Sequence, residues 1–264
     1  MTIYGNTALL IYTAAVTFIF GTCMGSFLNC AAYRAVRGES FVKGRSRCTN
    51  CGHELGFKDL IPIVSWLSTK GQCRYCGAKI SPRYLLTETA FGIITVLCLL
   101  RFGLTVLCLR NYIFLCMLFM LTLTDIDDMI IPDGCHLVSV IAWIAAEPFL
   151  FDGWGGVLSH VGAALLYGGG LLAISLVLDR ITGRDTLGGG DIKLIAVVGL
   201  YLGIIGTLFT LIIACMGGLL FNVIKSRSSD ESKAFPFGPW IAAAAALMLL
   251  YGEPLINWYK NLLI

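Results

Sequence analysis

The sequence predicts an all-α polytopic membrane protein of about eight transmembrane helices, with one small polar domain inserted near its start. Three observations carry that expectation. The chain has 264 residues, 57% hydrophobic and 13% charged, with a mean hydropathy of +0.82, so it has too little polar surface to cover a water-soluble globule. Its apolar residues gather into runs long enough to cross a hydrocarbon core, and its cations gather in a few of the connecting segments.

The expected spans are 7-30, 84-101, 111-127, 134-151, 156-178, 191-203, 204-224 and 238-256. The first follows an N-terminus without the basic n-region of a cleavable signal, and its apolar run is too long for a signal core, so it is expected to stay as a helix. The sixth is short and meets the seventh around Tyr201-Leu202-Gly203, so the pair reads either as two spans or as one broken span. Sixteen of the 19 Lys and Arg residues lie in segments 34-83, 180-193 and 225-233, which fall on one side of this topology, while Arg101, Arg110 and Lys260 fall on the other. The positive-inside rule then places the N-terminus outside and segment 34-83 in the cytoplasm. Three domains are expected: 1-33 as the first helix, 34-83 as the cytoplasmic insert, and 84-264 as the membrane core.

Two acidic patterns sit at the edges of apolar runs, Asp125-Ile126-Asp127-Asp128-Met129-Ile130-Ile131-Pro132-Asp133 and Gly188-Gly189-Gly190-Asp191-Ile192-Lys193. A carboxylate at membrane depth costs a few kcal/mol or more, so such a residue needs a reason. In the expected topology Asp125 ends span three and Asp191 opens span six at the same face. Asp191 also suits a helix N-cap, as does Asp133 after Pro132. Asp125 suits none, because a carboxylate in the last turn of a helix opposes the helix dipole. Asp127 and Asp128 read as interfacial charges. Two carboxylates brought together cannot both ionise easily, so one stays protonated as an acid while the other activates water, which is the chemistry of aspartyl proteolysis. Gly188, Gly189 and Gly190 clear side chains where a substrate backbone would approach and permit local unwinding, and they also suit a flexible turn.

The insert contains Cys48-Thr49-Asn50-Cys51 and Cys73-Arg74-Tyr75-Cys76. Two CxxC pairs at this separation suit a structural tetrathiolate zinc site better than a redox dithiol, and a cytosolic location argues against disulfides. Gly52 and Gly77 follow the second Cys of each pair, where a knuckle turn favours positive φ. The other cysteines, at 23, 30, 98, 108, 116, 135 and 215, read as small core residues, and His136 and His160 have no partner at ligand spacing. Glu88, near the start of span two, reads either as an interfacial charge or as part of a site. Lys193 reads as an interfacial snorkel.

Taken together, these stretches resemble the bacterial type IV prepilin peptidases, the leader peptidases that also serve type II secretion pseudopilins. The first acidic pattern is similar to the family's D-x6-P-[DN], and the second to G-x-G-D-x-K. Gly25-Ser26-Phe27-Leu28-Asn29 with Tyr33-Arg34, Asp59 to Leu67, and Pro236-Phe237-Gly238-Pro239 also look like family signatures. The resemblance implies Asp125 and Asp191 as the catalytic pair of a GxGD-type intramembrane aspartyl protease in the bacterial inner membrane, with prepilins or pseudopilins as substrates and no nucleic-acid partner. It also implies N-methylation of the new terminus from S-adenosylmethionine, a site within segment 25-88, and Glu88 as a methylation candidate. Where the family commonly has Pro-x-Val-Glu, this chain has Leu85-Leu86-Thr87-Glu88. The alternative from another class is a proton-coupled transporter using Asp125 and Asp191 as a relay. That alternative would favour internal repeats, and the apolar segments differ in length and pattern.

Overall fold

A computed structural model describes residues 7-40, 44-150, 153-184, 186-226 and 236-263. Lys43, Arg227 and Lys233, three of the cations used to orient the chain, lie outside the described residues. The chain forms two compact units, Met1–Gly103 and Leu104–Ile264. Among the described residues there are helices throughout and only two isolated β-bridges, Arg47 with Glu54 and Gln72 with Lys79.

In the first unit α1 (Thr7–Ala35) packs on α3 (Arg83–Phe102). Lipid gives apolar helices little reason to associate, so they need close backbone approach, and small residues supply it. A β-carbon on Gly21 would stand 2.9 Å from the Cα of Gly92, and one on Gly25 would stand 2.9 Å from the Cβ of Phe91. The insert between these helices holds a 3-10 turn at Phe57–Asp59 and the five-residue helix α2 (Val64–Ser68).

In the second unit α4 (Val106–Asp128) is capped by the Thr105 hydroxyl, which accepts from Cys108 N at 3.1 Å. It ends at Met129, which adopts φ 54°, and Pro132 then precedes α5 (Asp133–Leu150). The next span is α6 (Trp154–Ala164), a π turn at Leu165–Gly169, and α7 (Gly170–Thr182). This span lies against α8 (Gly189–Ser226): a β-carbon on Gly199 would stand 2.7 Å from Ala164 N, and one on Gly168 would stand 2.6 Å from the Cβ of Ala196.

The long helix α8 is broken at Gly203, where φ is 66° and ψ is −170°. Its first half starts with Gly190 against Ile131, and its second half ends with Gly217 and Phe221 against Trp240. Ile131 also lies against Gly238, so both halves have their far ends on one side and Gly203 turns the chain back at the other. The breakage is stabilised from α6, where His160 Nδ1 lies 2.7 Å from the Leu200 carbonyl that the interrupted ladder releases. Among the described residues six helices are long and apolar enough to cross a membrane, and the bent pair α9 (Gly238–Tyr251) and α10 (Glu253–Leu263), taken as one span, makes a seventh. Counting α8 as a hairpin gives the eighth.

The last span differs from the expected run 238-256. The chain turns by 80° between α9 and α10, because Gly252 ends α9 and Pro254 has no N–H with which to continue its ladder. The cysteines also differ in part: Cys98, Cys116 and Cys135 are buried, but Cys23 and Cys215 are exposed on their helices.

Candidate functional site

The second unit brings the two acidic patterns together. Asp125 sits in the last turn of α4 and is 5% exposed, an uncommon position for a carboxylate. Asp191 is not the residue before α8 but lies inside its first turn, with its N–H donating to the Gly188 carbonyl at 3.0 Å. There the helix dipole favours its charge. The two carboxylates act on each other electrostatically, and Asp125 Oδ2 and Asp191 Oδ1 are both buried and reach no partner in hydrogen-bond geometry among the described residues, although the Gly238 backbone lies beside Asp125. Polar groups buried in proteins are normally paired, so two orphan carboxylate oxygens in one place mark a site built to meet something else.

Glycines shape the space around them. A β-carbon on Gly238 would stand 2.7 Å from Asp125 Oδ2, and one on Gly188 would stand 3.2 Å from Asp191 Oδ2. Ile131 wedges between the two elements, because β-carbons on Gly190 and Gly238 would fall 2.9 Å and 3.1 Å from its side chain. The Pro236-Phe237-Gly238-Pro239 stretch is thus the start of α9, with Pro239 in its first turn, where the missing N–H costs nothing.

The other acidic residues separate by environment. Asp127 and Asp128 are exposed. Asp133 is the first residue of α5, and its Oδ1 accepts from Lys193 Nζ at 2.6 Å. Lys193 is therefore paired with a protein carboxylate. Sequence reasoning gave Lys193 and Asp133 separate roles because the pairing spans 60 positions. It also left His160 unassigned, and nothing local reveals that its partner is a carbonyl on α8.

In the first unit the four cysteines converge. The Sγ atoms of Cys48, Cys51, Cys73 and Cys76 all lie within 4.8 Å of one another. Each knuckle closes through a glycine with φ of 71°, Gly52 N donating to Cys48 O and Gly77 N to Cys73 O, both at 2.9 Å. Backbone N–H groups of Cys51 and Asn50 pull the Cys48 thiol down to about 6. The His53 backbone favours the Cys51 thiolate too, but desolvation and the neighbouring Cys48 and Cys76 sulfurs push that thiol up to about 11. Four thiolates this close repel one another, and a soft divalent cation removes the repulsion. The donor set and its spacing fit a tetrahedral zinc ion.

Loop 59-63 is fastened at both ends. Burial raises the Asp59 carboxyl, but hydrogen bonds from Tyr75, Gly56 and Arg74 outweigh it and hold the group below the usual carboxylate range. Arg74 Nε and Tyr75 Oη, from the second knuckle, both reach Asp59 at 2.9 Å. At the other end Glu88, 6% exposed, accepts from the Ile63 N–H at 2.7 Å. Ile63 has φ of 62°, a conformation that β-branched residues rarely adopt, and the buried carboxylate helps hold it there. Trp66, on α2, donates from Nε1 to Ile80 O at 3.2 Å. Its ring forms one wall of an open groove of about 420 Å³ lined also by Lys70, Gly71, Gln72, Lys79 and Ser81.

Comparison with known proteins gives the same outline. Residues 19–102 match the bacterial peptidase A24 N-terminal domain, and residues 112–223 match the type IV leader peptidase family. The chain is 32% identical over 249 residues to the prepilin leader peptidase/N-methyltransferase of Bacillus subtilis, covering 93% of this chain and 97% of that protein. It is 30% identical over 288 residues to the protein of the same name from Aeromonas salmonicida, covering 94% of each. A protein of that name from Myxococcus xanthus is 35% identical over 223 residues, which are 83% of this chain and 65% of that protein. No solved structure matches.

Proposed function

The chain belongs to the type IV leader peptidase family, and we propose that it removes the leader of prepilins or pseudopilins at Asp125 and Asp191 and then N-methylates the terminus it exposes. The observation that carries the peptidase half is the pair of buried, unpartnered carboxylate oxygens at the start of α8 and the end of α4.

The chemistry needs one proton shared between the two aspartates. The ionised carboxylate takes a proton from water as its oxygen attacks the scissile carbonyl carbon. The protonated carboxyl gives its proton to the carbonyl oxygen, and the resulting gem-diol collapses to a carboxyl group as the aspartate that took the water proton passes it to the leaving amide nitrogen and a gem-diol hydroxyl returns its proton to the other aspartate. No covalent enzyme intermediate forms. A low-dielectric boundary strengthens each charge interaction, and Gly188 and Gly238 lack side chains where the carboxylates of Asp191 and Asp125 lie against the backbone. In the proposed topology the insert and both aspartates face the cytoplasm and the N-terminus lies outside, as the cation distribution favours.

The insert would hold zinc through Cys48, Cys51, Cys73 and Cys76. A four-thiolate ion has no open position, so its contribution is structural. S-adenosylmethionine, as methyl donor, would supply the electrophilic methyl group. In this proposal the groove beside Trp66 would take the methyl donor, with the indole ring against the adenine and Lys70 and Lys79 toward the carboxylate. Glu88 supports this groove indirectly, holding through Ile63 the loop that leads into α2 and so acting as a positioning residue. The relatives named above are all peptidases, which gives the transporter alternative no support.

The test is maturation of a purified prepilin in detergent with a labelled methyl donor, using wild type and the Asp125→Asn and Asp191→Asn variants. Cleavage and methyl transfer by wild type, with neither variant cleaving, is the expected result.

A further inference from the structure

The first turns of α5 and α8 are joined by a pair to which the chemistry above gives no role. Lys193 Nζ donates to Asp133 Oδ1 at 2.6 Å, linking residues 60 positions apart. His136 Nδ1 lies 4.0 Å from the same oxygen, and its ring is 8% exposed. Neither ring nitrogen reaches hydrogen-bond geometry, although the Gly190 backbone is beside it. The Asp133–Lys193 pair therefore connects α5, which follows Asp125 through the short loop Met129 to Pro132, to α8, where Lys193 stands two residues after Asp191.

The side chains of Lys193 and Asp133 are 55% and 73% exposed, so their pairing adds little to global stability. Its consequence is geometric. Ile131 sets how closely the loop approaches Gly190 and Gly238, and the ion pair sets the registry of α5 against α8 just beyond it. Two carboxylates that must share one proton tolerate little displacement, because acid–base catalysis depends on reach within hydrogen-bond distance.

We propose that Asp133 and Lys193 are positioning residues, a clamp between α5 and α8 that fixes the approach of Asp125 and Asp191 during prepilin cleavage. The proposal rests on the peptidase reading above. It also means that Lys193 is engaged by the protein's own Asp133, so no substrate carboxylate is needed to neutralise it.

A double-mutant cycle tests the clamp. Full-length Asp133→Ala, Lys193→Met and the double variant are purified, matched for thermal unfolding, and assayed for kcat and KM on a prepilin. Each single change is expected to lower kcat about tenfold with KM within about twofold, and the double variant to be no worse than either single. Asp133→Asn keeps an oxygen acceptor and Lys193→Arg keeps a donor, so both are expected to stay within about threefold of wild type. Independent effects that multiply to about a hundredfold in the double variant overturn the clamp, as does a rise in KM with kcat retained. Asp191→Asn is assayed beside them. If it still cleaves, the peptidase assignment fails; if it is inactive while the cycle multiplies, only the clamp fails.

Discussion

Gly238 lies so close to Asp125 that a β-carbon at position 238 would stand 2.7 Å from the Asp125 Oδ2 atom. The start of α9 therefore forms a wall of the site, and the wall has room for a carboxylate only because residue 238 has no side chain. Gly238→Ala is expected to lower kcat for leader cleavage at least about tenfold, since the added methyl displaces a reacting group. Initial rates on a purified prepilin, with circular dichroism confirming unchanged helicity, check this.

Arg110 and Glu147 pair at 3.1 Å with side chains only 10% and 19% exposed, and Arg110 lies 5.3 Å from the centre of the Tyr201 ring. The pair ties α4, α5 and α8 together. Arg110→Ala is expected to destabilise the second unit by about 3–5 kcal/mol, because Glu147 is left buried without a partner. Arg110→Met with Glu147→Leu is expected to cost less than that single change, as measured by unfolding in mixed micelles.

How much of this was legible in the sequence depended on the range of the interaction. The knuckle cysteines and their glycines are local, and the spacing of Cys48, Cys51, Cys73 and Cys76 foretold their convergence. Asp125 and Asp191 were found because each conflicts with its apolar neighbours. The break at Gly203 was visible only as an ambiguity, since a run of apolar residues does not show where a helix reverses. The partner that makes the break tolerable, His160, lies 40 positions from Leu200. The Asp133 and Lys193 pair was hidden for the same reason. The bend before α10 had a signal, Gly252 followed by Pro254, that the hydropathy of the run 238-256 masked.

The four-cysteine cluster leads to a metal prediction. Purified protein is expected to contain about one zinc per chain, and Cys73→Ser is expected to lose it. Protons compete with the ion for thiolates, so occupancy is expected to fall as pH is lowered. Elemental analysis after dialysis at each pH reads both effects.

Glu88 divides the two activities. Its carboxylate holds Ile63 at its positive φ of 62° and so supports the loop that leads to Trp66. Glu88→Ala is expected to lower methyl transfer at least about tenfold while leader cleavage stays within about threefold of wild type. Separate assays for released leader and for methyl incorporation distinguish these outcomes.

The most direct test of the central claim, that Asp125 and Asp191 together perform the hydrolysis, is the mass of the mature N-terminus after incubation of prepilin with purified enzyme and methyl donor. The account predicts loss of the leader and gain of one methyl group with wild type, and intact prepilin with Asp125→Asn and with Asp191→Asn. Maturation by either variant at more than about one hundredth of the wild-type rate would contradict it.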